Sequence, residues 1–562
     1  MRHPLLMTAK AASLAVGLAM LCGTPAAAAG GGLLAEVTGI RLAMAEGIGR
    51  IDGAHGEAIG RFYRDREFAP LWTGGDADGR ARLGALVTAM SRVSDHGLPS
   101  GRFDHEALRA RILGARTDAE LGAVEIAITR TYLDLAGALS SGLVDPARID
   151  GRVMVREVVR RDPASLLERM AREDPVAVLR DLAPRSPEYA RLMGHKKRLA
   201  TDVRRGGWGP EVDTDRLAPG ESGPDVVALR DRLRAMGHMG RSVSPRYDAE
   251  LAAAVAAFQG ASGLAVDGVA GPETIRALNV SAEERMGQVL VSMERERWMN
   301  APRTGRVIWV NLPDFSATIL DNGIETFRTR AVIGKAETGR YTPEFSDEMT
   351  HMVVNPSWYV PRSIVVNEYL PQLRANPGAV PGFELRDRAG RPANRAAGFA
   401  QYTARTFPFS MRQPPGPRNA LGYVKFMFPN KYNIYLHDTP AKSLFDRQVR
   451  AFSHGCIRLH EPFEFAHALL AVQEPDPRAA FRRALDTGAE RRLNLERPVP
   501  VHIVYRTAFT DAKGGLHFRP DVYGRDALVL DALRAEGVDL MRIAGLDPVA
   551  VPGPVAEDGR AG

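Results

Sequence analysis

The spacing of apolar residues changes near Gly305, and no other feature of the chain constrains its fold as strongly. Before this point apolar residues recur every three or four positions, as in Ala119 to Leu139, which predicts helices. After it, short alternating runs such as Arg306 to Leu312 predict strands. Further strand candidates are Arg328 to Ile333, Thr350 to Asn355, Tyr432 to His437 and Pro500 to Tyr505. The sequence therefore predicts a multidomain α+β protein, mostly helical at first and then mainly-β, with a sandwich-like or barrel-like sheet.

A chain of 562 residues is long enough for several domains. The expected parts are a helical region at 30–205, a compact three-helix unit at 215–282, a strand-rich domain at 300–508 and a C-terminal segment at 509–562 that packs on the helical region. In the compact unit, Asp225 to Met236 and Ala249 to Gln259 each place apolar residues on one helical face, and Gly271-Pro272 begins a third helix. The strand-rich domain is interrupted at about 372–417 by a polar stretch rich in Pro, Gly and Arg, which we expect to cap a cleft.

The first 29 residues have the pattern of a secretory signal peptide. Arg2 and Lys10 precede the apolar run Ala11 to Leu21, and small Ala-rich residues follow. The run is shorter than the roughly 20 residues of a membrane-spanning helix. We therefore expect removal of residues 1–29 and a periplasmic protein without a transmembrane helix. A lipid anchor on Cys22 and a cytoplasmic protein with an apolar first helix are the alternatives.

The charge balance bears on the class of partner. The whole chain has a formal net charge of +7, with acidic residues interleaved among the basic ones. A spread, mild charge of this kind is typical of a solvated surface, so nucleic acid is not an expected partner.

Cys456 would be the single thiol of the mature chain, because Cys22 lies in the expected signal peptide. An unpaired cysteine in an exported protein is either inert packing or a reactive group. To react near neutral pH it needs a base or a positive environment. Its neighbours include His454, Gly455, which allows close backbone approach to an oxyanion, and Arg458, which suits a carboxylate.

His437 is the second histidine that could serve Cys456 as a base. In a strand, Tyr435 and His437 point to one face, whereas Ile434 and Leu436 point to the other. The apolar pair would face the core and the polar pair a cleft. A zinc site built from His454, Cys456 and His460 is the rival interpretation, but the spacing matches no common zinc motif.

The combination of His437 with Ser453-His454-Gly455-Cys456 resembles the signature of the L,D-transpeptidase catalytic domain. Further segments resemble the large periplasmic branch of that family: Asn355-Pro356-Ser357-Trp358, Pro414 to Pro417, Asn419 to Gly422, Leu436 to Pro440 and Arg519 to Tyr523. Residues 215–282 resemble the three-helix peptidoglycan-binding module, and 30–205 resemble the helical scaffold domain of the same branch.

The resemblance implies an enzyme that joins peptidoglycan stem peptides without a metal or organic cofactor. The donor would be a tetrapeptide that loses D-alanine to form a thioester on Cys456, and the acceptor would be a diamino-acid amine that completes a 3→3 cross-link. His437 would move the proton. The implied site-shaping residues are Gly455, Ser453, His454 and Tyr435, and the implied substrate-binding residues are Arg458 and Trp358.

Two further activities remain open beside this one. An L,D-carboxypeptidase would pass the same thioester to water, and a non-catalytic protein would only bind the wall. The resemblance also implies that carbapenems acylate Cys456.

Overall fold

The computed structural model describes residues 32–49, 51, 53–300 and 303–546. The expected signal peptide and Cys22 lie outside these residues. Within them no helix combines the length and the apolar character that crossing a bilayer requires. The chain forms two compact units, one from the described parts of 1–81 and 106–130 and the other from those of 82–105 and 131–562.

Helices make up most of the described part of the region at 30–205, as the spacing predicts. Its helices are α1 (Gly32–Ile48), α2 (Gly53–Asp65), α3 (Ala77–Ser91), α4 (His105–Gly114), α5 (Asp118–Ser141), α6 (Pro146–Asp150), α7 (Pro163–Arg172), α8 (Pro175–Arg180) and α9 (Pro187–Arg204). The last three begin at a proline that follows a capping side chain: Asp162, Asp174 and Ser186 each accept a hydrogen bond from a first-turn backbone N–H. Proline fits there because its missing N–H would have no partner in the helix.

Glu125 organises the core of the first unit. Its fully buried carboxylate accepts hydrogen bonds from the Tyr63 hydroxyl at 2.6 Å and from the backbone N–H groups of Leu71 and Trp72. A buried carboxylate is tolerated only with such donors. Tyr63, Leu71 and Trp72 are all at most 2% exposed, so the aromatic segments of this region serve packing.

The compact unit consists of α10 (Pro224–Ala235), α11 (Ala249–Ala261) and α12 (Pro272–Asn279). Leu229, Leu233 and Val255 are fully buried in its core. The Gln259 side chain is buried beside the loop before α12. It donates to Asp267 Oδ1 at 2.8 Å and accepts from the Gly268 N–H at 2.9 Å, which holds that loop against α11.

Nine of the described strands after Gly305 form one mixed sheet that closes on itself. The strands are β1 (Arg306–Asn311), β2 (Ser316–Asp321), β3 (Ile324–Gly334), β4 (Phe345–Val354), β8 (Val424–Met427), β9 (Leu436–His437), β10 (Ala451–Ser453), β11 (Ile457–Leu459) and β12 (Arg491–Val504). Their order is β10-β3-β11-β9-β8-β4-β12-β1-β2, and β2 also pairs with β3. This additional pairing closes the sheet of the mainly-β domain. Helices α16 (Pro462–Leu470) and α17 (Pro477–Leu485) contribute Phe465, Leu469 and Phe481 to its core.

The expected strand Tyr432 to His437 is shorter than predicted. The Asn430 side chain caps a turn here: its amide donates to the Ile434 carbonyl at 2.8 Å, and its oxygen accepts from the N–H groups of Tyr432 and Ile434. Asn433 has a positive φ of 56°. Side-chain bonding by Asn competes in this way with strand pairing, so only β9 remains extended.

The stretch expected to be an irregular insertion is a folded subdomain. It contains a three-stranded sheet of β5 (Trp358–Tyr359), β7 (Ser410–Gln413) and β6 (Glu384–Arg386), together with α14 (Arg362–Ile364), a π-turn at Val365–Tyr369 and α15 (Leu370–Ala375). It has its own apolar core, which includes Leu373 and Phe399. We call residues 358–413 the cap. The cap begins earlier than residue 372 because β5 pairs with β7.

A long helix that the sequence did not predict, α13 (Ala282–Trp298), is almost wholly buried. Four of its buried charged residues, Glu294 to Arg297, form ion pairs, such as Arg297 with Glu294 at 2.8 Å. The C-terminal segment packs against α13 and α9 through β13 (Ala508–Thr510), β14 (Leu516–Phe518), α18 (Arg525–Ala535) and α19 (Leu540–Ala544). Helix α9 lies in the expected scaffold region.

Candidate active site

The loop between β10 and β11 carries Ser453, His454, Gly455 and Cys456, and hydrogen bonds fix its shape. The buried Ser453 hydroxyl donates to the Cys456 carbonyl at 2.5 Å and accepts from the Gly455 N–H at 3.1 Å. Gly455 has a φ of +116°, which side chains rarely adopt, and a Cβ there would lie 3.2 Å from Ile434 Cδ1. Glycine is therefore required at this position, and Ser453 braces the turn that presents the thiol.

The Cys456 side chain is half-buried in the wall of a cavity. Removal from water raises the pKa of its thiol to about 11, although hydrogen bonds from Tyr435 and the cation of Arg458 oppose this shift. The thiol donates to the Asn433 carbonyl at 3.5 Å. Cys456 therefore rests as a neutral thiol.

His437 lies on β9, beside the strand that follows Cys456. Its Nδ1 donates to the Asp438 carbonyl at 2.5 Å. Burial, with the nearby Arg458 guanidinium as the next cause, lowers the pKa of its imidazole to about 3. The ring is therefore neutral at pH 7, and because Nδ1 carries the hydrogen, Nε2 is free to accept a proton.

Tyr435 contacts both Cys456 and Trp358. Burial, with Cys456 as the next cause, raises the pKa of the Tyr435 hydroxyl well above its usual range, and Trp358 opposes the shift. Its ring lies 5.6 Å from the His437 ring, between centroids. Ile434 and Leu436 are buried. Tyr435 and His437 line the cavity and Leu436 lies in the core, but Ile434 contacts both, so the segment divides less cleanly than predicted.

Arg458 is the cation nearest to this pair. It is paired in register with His437 across β9 and β11. Its Nε makes no hydrogen bond within the described residues, and burial lowers the pKa of the guanidinium. A partly desolvated guanidinium with unused donors is suited to a carboxylate from a ligand.

His454 lies at the rim of the cavity and contacts the cap. Its Nε2 is 2.5 Å from Glu368 Oε1, and the same carboxylate oxygen accepts from Arg340 at 2.8 Å. We call His454, Glu368 and Arg340 the rim triad. His454 thus connects the loop of Cys456 to the cap.

One cavity of about 860 Å³ is lined by Tyr435, His437, Ser453, Cys456, Arg458 and the rim triad. The cap contributes its first segment to the wall, including Trp358, Asn367 and Tyr369. Sequence reasoning missed Glu368, Asn433 and Asp438. The last two act through backbone carbonyls, which leave no signal in the side-chain sequence.

The residues of the rival zinc site are not gathered together. His460 does not line the cavity, and its Nε2 lies 2.9 Å from an Arg330 nitrogen. Across the described residues no group of three or more His, Cys, Asp or Glu side chains is arranged to hold a metal ion.

Comparison with known families assigns three parts of the chain. Residues 305–487 match the family described as L,D-transpeptidase catalytic domain. Residues 57–194 match a scaffold domain, and residues 222–278 match a family described as "Putative peptidoglycan binding domain". These matches confirm the resemblance in all three regions.

Individual relatives agree with this assignment. A protein of Haemophilus influenzae described as "Putative L,D-transpeptidase" is 30% identical over 263 residues, which are 45% of this chain and 52% of the relative. The chain thus spans about half the length of that relative. Crystal structures of L,D-transpeptidases from Xylanimonas cellulosilytica and Stackebrandtia nassauensis are 18% and 13% identical. Each match covers 53% of this chain. It includes 98% of the Xylanimonas chain with a TM-score of 0.15, and 97% of the Stackebrandtia chain with a TM-score of 0.20. These scores are too low to support a shared domain arrangement.

Proposed function

We propose that this chain, whose residues 305–487 belong to the L,D-transpeptidase catalytic-domain family, is a cysteine-dependent enzyme that forms 3→3 cross-links in peptidoglycan. One observation carries the proposal. The Cys456 thiol and a neutral His437 imidazole, whose Nε2 can accept a proton, line the same cavity. Arg458 lies beside them, and its Nε makes no hydrogen bond within the described residues.

The first half-reaction is acylation of Cys456 by a tetrapeptide stem. When the donor binds, the thiol turns from the Asn433 carbonyl toward His437, and Sγ attacks the carbonyl before the terminal D-alanine. His437 Nε2 takes the thiol proton and gives it to the nitrogen of the leaving D-alanine as the C–N bond breaks. The products are a thioester on Cys456 and free D-alanine.

The negative oxygen formed during attack needs hydrogen-bond donors. The Gly455 N–H is engaged by Ser453 at 3.1 Å, so Gly455 shapes the turn rather than donating. The Tyr435 hydroxyl and the Cys456 N–H are the donors that we assign to the oxyanion. Burial raises the pKa of Tyr435, so its hydroxyl keeps its proton. Removal of one such donor typically lowers the rate by about 100- to 1,000-fold.

In the second half-reaction, the side-chain amine of a diamino acid on another stem attacks the thioester. His437 accepts a proton from this amine and passes it to the Cys456 sulfur as the C–S bond breaks. An amide forms and a thioester breaks, so the energy of the original peptide bond is retained and no cofactor is required.

The surrounding residues support recognition of wall fragments. Arg458 would bind a carboxylate of the stem, and Trp358 would form part of the cavity wall. The module at 215–282 would hold the enzyme near peptidoglycan in the periplasm. Carbapenems, whose ring carbonyl resembles a donor carbonyl, are expected to acylate Cys456.

Product analysis tests the proposal. Purified protein is incubated with a disaccharide-tetrapeptide, and the products are separated and weighed by mass spectrometry. A cross-linked dimer that has lost one D-alanine supports the transpeptidase. A tripeptide alone identifies an L,D-carboxypeptidase, and unchanged substrate together with no carbapenem adduct identifies a non-catalytic wall-binding protein.

A further inference from the structure

Thr342 supports the loop of Cys456 from below. It is fully buried, and its hydroxyl donates to the Gly455 carbonyl at 2.7 Å. The same oxygen accepts from the Gly334 N–H at 2.9 Å. One hydroxyl therefore joins the end of β3 to the residue immediately before the nucleophile.

Gly334 is held on several sides at once. It pairs in register with Ser453 of β10. A Cβ at this position would lie 2.1 Å from the Arg340 carbonyl oxygen, so the chain from 335 to 341 folds back tightly against it. The next residue, Lys335, donates its N–H to the Ser453 carbonyl at 2.9 Å. Gly334 and Thr342 thus form the base on which the Ser453 turn lies.

The C-terminal segment fixes this base. The Tyr523 hydroxyl donates to the Gly334 carbonyl at 2.6 Å, and the Arg525 guanidinium donates to the Thr342 carbonyl at 2.8 Å. Both residues lie beyond residue 487, where the match to the catalytic-domain family ends. Two side chains from outside that domain therefore reach the backbone under the nucleophile.

Arg525 and Tyr523 are themselves immobilised. Arg525 is 1% exposed, donates to Glu344 Oε1 at 2.9 Å, and lies 4.8 Å from the centre of the Tyr523 ring. The Asp521 carboxylate accepts from the N–H of Arg525 at 2.8 Å and from the Tyr505 hydroxyl at 2.5 Å. Arg525 is buried and Asp521 and Tyr523 are half-buried. Because all three are hydrogen-bonded, they hold a single geometry.

We propose that Thr342, Tyr523 and Arg525 are positioning residues for Cys456, and that the C-terminal segment is a working part of the active site. This inference rests on the proposed function. The Tyr523 side chain fixes Gly334, and the Arg525 side chain fixes Thr342. The Thr342 hydroxyl in turn fixes Gly455. The position of Gly455 sets the direction from which the Cys456 sulfur approaches the carbonyl of the donor. Misplacement of a reacting group by about 1 Å can cost about 100-fold in rate.

The test compares variants that remove one hydroxyl and little volume. Full-length Thr342→Val, Thr342→Ser and Tyr523→Phe are mixed with a carbapenem, and acylation of Cys456 is followed by intact-protein mass spectrometry over a range of inhibitor concentrations. Thr342→Val and Tyr523→Phe are expected to lower the maximal acylation rate about 10- to 100-fold, with little change in the half-saturating concentration. Thr342→Ser retains the hydroxyl and is expected to react within about threefold of the wild-type rate.

The matched control is Tyr132→Phe. The Tyr132 hydroxyl is also buried and donates to a backbone carbonyl, that of Leu166, at 3.0 Å, but it lies in the helical region. This variant is expected to lose stability without a change in the acylation rate. Thermal unfolding of every variant shows whether a lower acylation rate comes from loss of folded protein or from misplacement of Cys456.

Each outcome decides the matter. Wild-type acylation rates in Thr342→Val and Tyr523→Phe would overturn the positioning role while leaving the proposed function intact. A fall in rate that only follows the loss of folded protein would also overturn it. If Thr342→Val does not fold, Tyr523→Phe alone supports or refutes the role. Failure of the wild-type protein to become acylated would instead contradict the proposed function.

Discussion

The pKa values of Cys456 and His437 predict how the free enzyme reacts with a simple alkylating reagent. Burial raises the thiol pKa from an ordinary 9.0 to about 11. At pH 7 about one molecule in 10,000 is then a thiolate, against about one in 100 for an unshifted cysteine. Because only the thiolate is alkylated, the shift alone predicts about 100-fold slower reaction of Cys456 in the folded protein than in the unfolded chain.

The assay is alkylation by iodoacetamide between pH 6 and pH 10.5, read on the peptide that contains Cys456. For the folded protein the rate is expected to rise about tenfold per pH unit over the whole range, because its thiol pKa lies above the range. For the chain unfolded in urea the rate is expected to level off near pH 9. Restricted access of iodoacetamide to the thiol lowers the alkylation rate of the folded protein equally at every pH. The test therefore uses the slope of this rate against pH and not its absolute value.

His437→Asn is the informative companion variant. Burial and Arg458 keep the His437 imidazole neutral, so it supplies no positive charge that would stabilise a thiolate. The variant is expected to keep the wild-type slope. A plateau in the folded wild-type profile below pH 8, lost in His437→Asn, would show a preformed thiolate–imidazolium pair and would refute the reasoning.

Three further predictions concern the base, the cap and the turn. Replacement of His437 by Gln is expected to lower the acylation rate by about 100- to 10,000-fold, whereas His454→Gln should change it far less; the reverse order would exchange their roles. Glu368→Gln weakens the partly exposed rim triad. The KM for the donor in a cross-linking assay is therefore expected to rise about two- to fivefold with kcat unchanged. An unchanged KM would show that the rim triad does not contribute to donor binding. Gly455→Ala forces a side chain into a φ of +116° and is expected to lower the free energy of unfolding in urea by about 1–3 kcal/mol. Gly240→Ala, at an exposed glycine without a positive φ and with open space around it, is the control, and an equal loss there would contradict the prediction.

The sequence predicted the elements whose signals are local. The apolar spacing located α5 and the helices of the compact unit, and the alternating runs located most strands of the sheet. The lone thiol and the alternation along the strand made Cys456 and His437 candidates, and the resemblance to the L,D-transpeptidase signature assigned their roles. These inferences depend on residues close to each other in the chain.

The elements that the sequence did not predict depend on distant partners. Helix α13 is rich in charged residues and would be expected at the surface, but pairs such as Glu294 with Arg297 allow its burial. Nothing in the sequence indicated that the cap is folded, because its sheet depends on the pairing of Trp358 with Gln413, which are far apart in sequence. The support that Thr342 and Tyr523 give to the nucleophile loop is likewise invisible until the sheet and the C-terminal segment are placed together.

The most direct test of the central claim is the mass of the protein during turnover. Wild-type protein and Cys456→Ala are mixed with the disaccharide-tetrapeptide, quenched in acid and analysed as intact proteins and as peptides. The account predicts that wild type gains the mass of the donor minus D-alanine, on Cys456 alone, and that Cys456→Ala gains nothing and forms no cross-links. Cross-linked product from Cys456→Ala, or an acyl group on another residue, would contradict it.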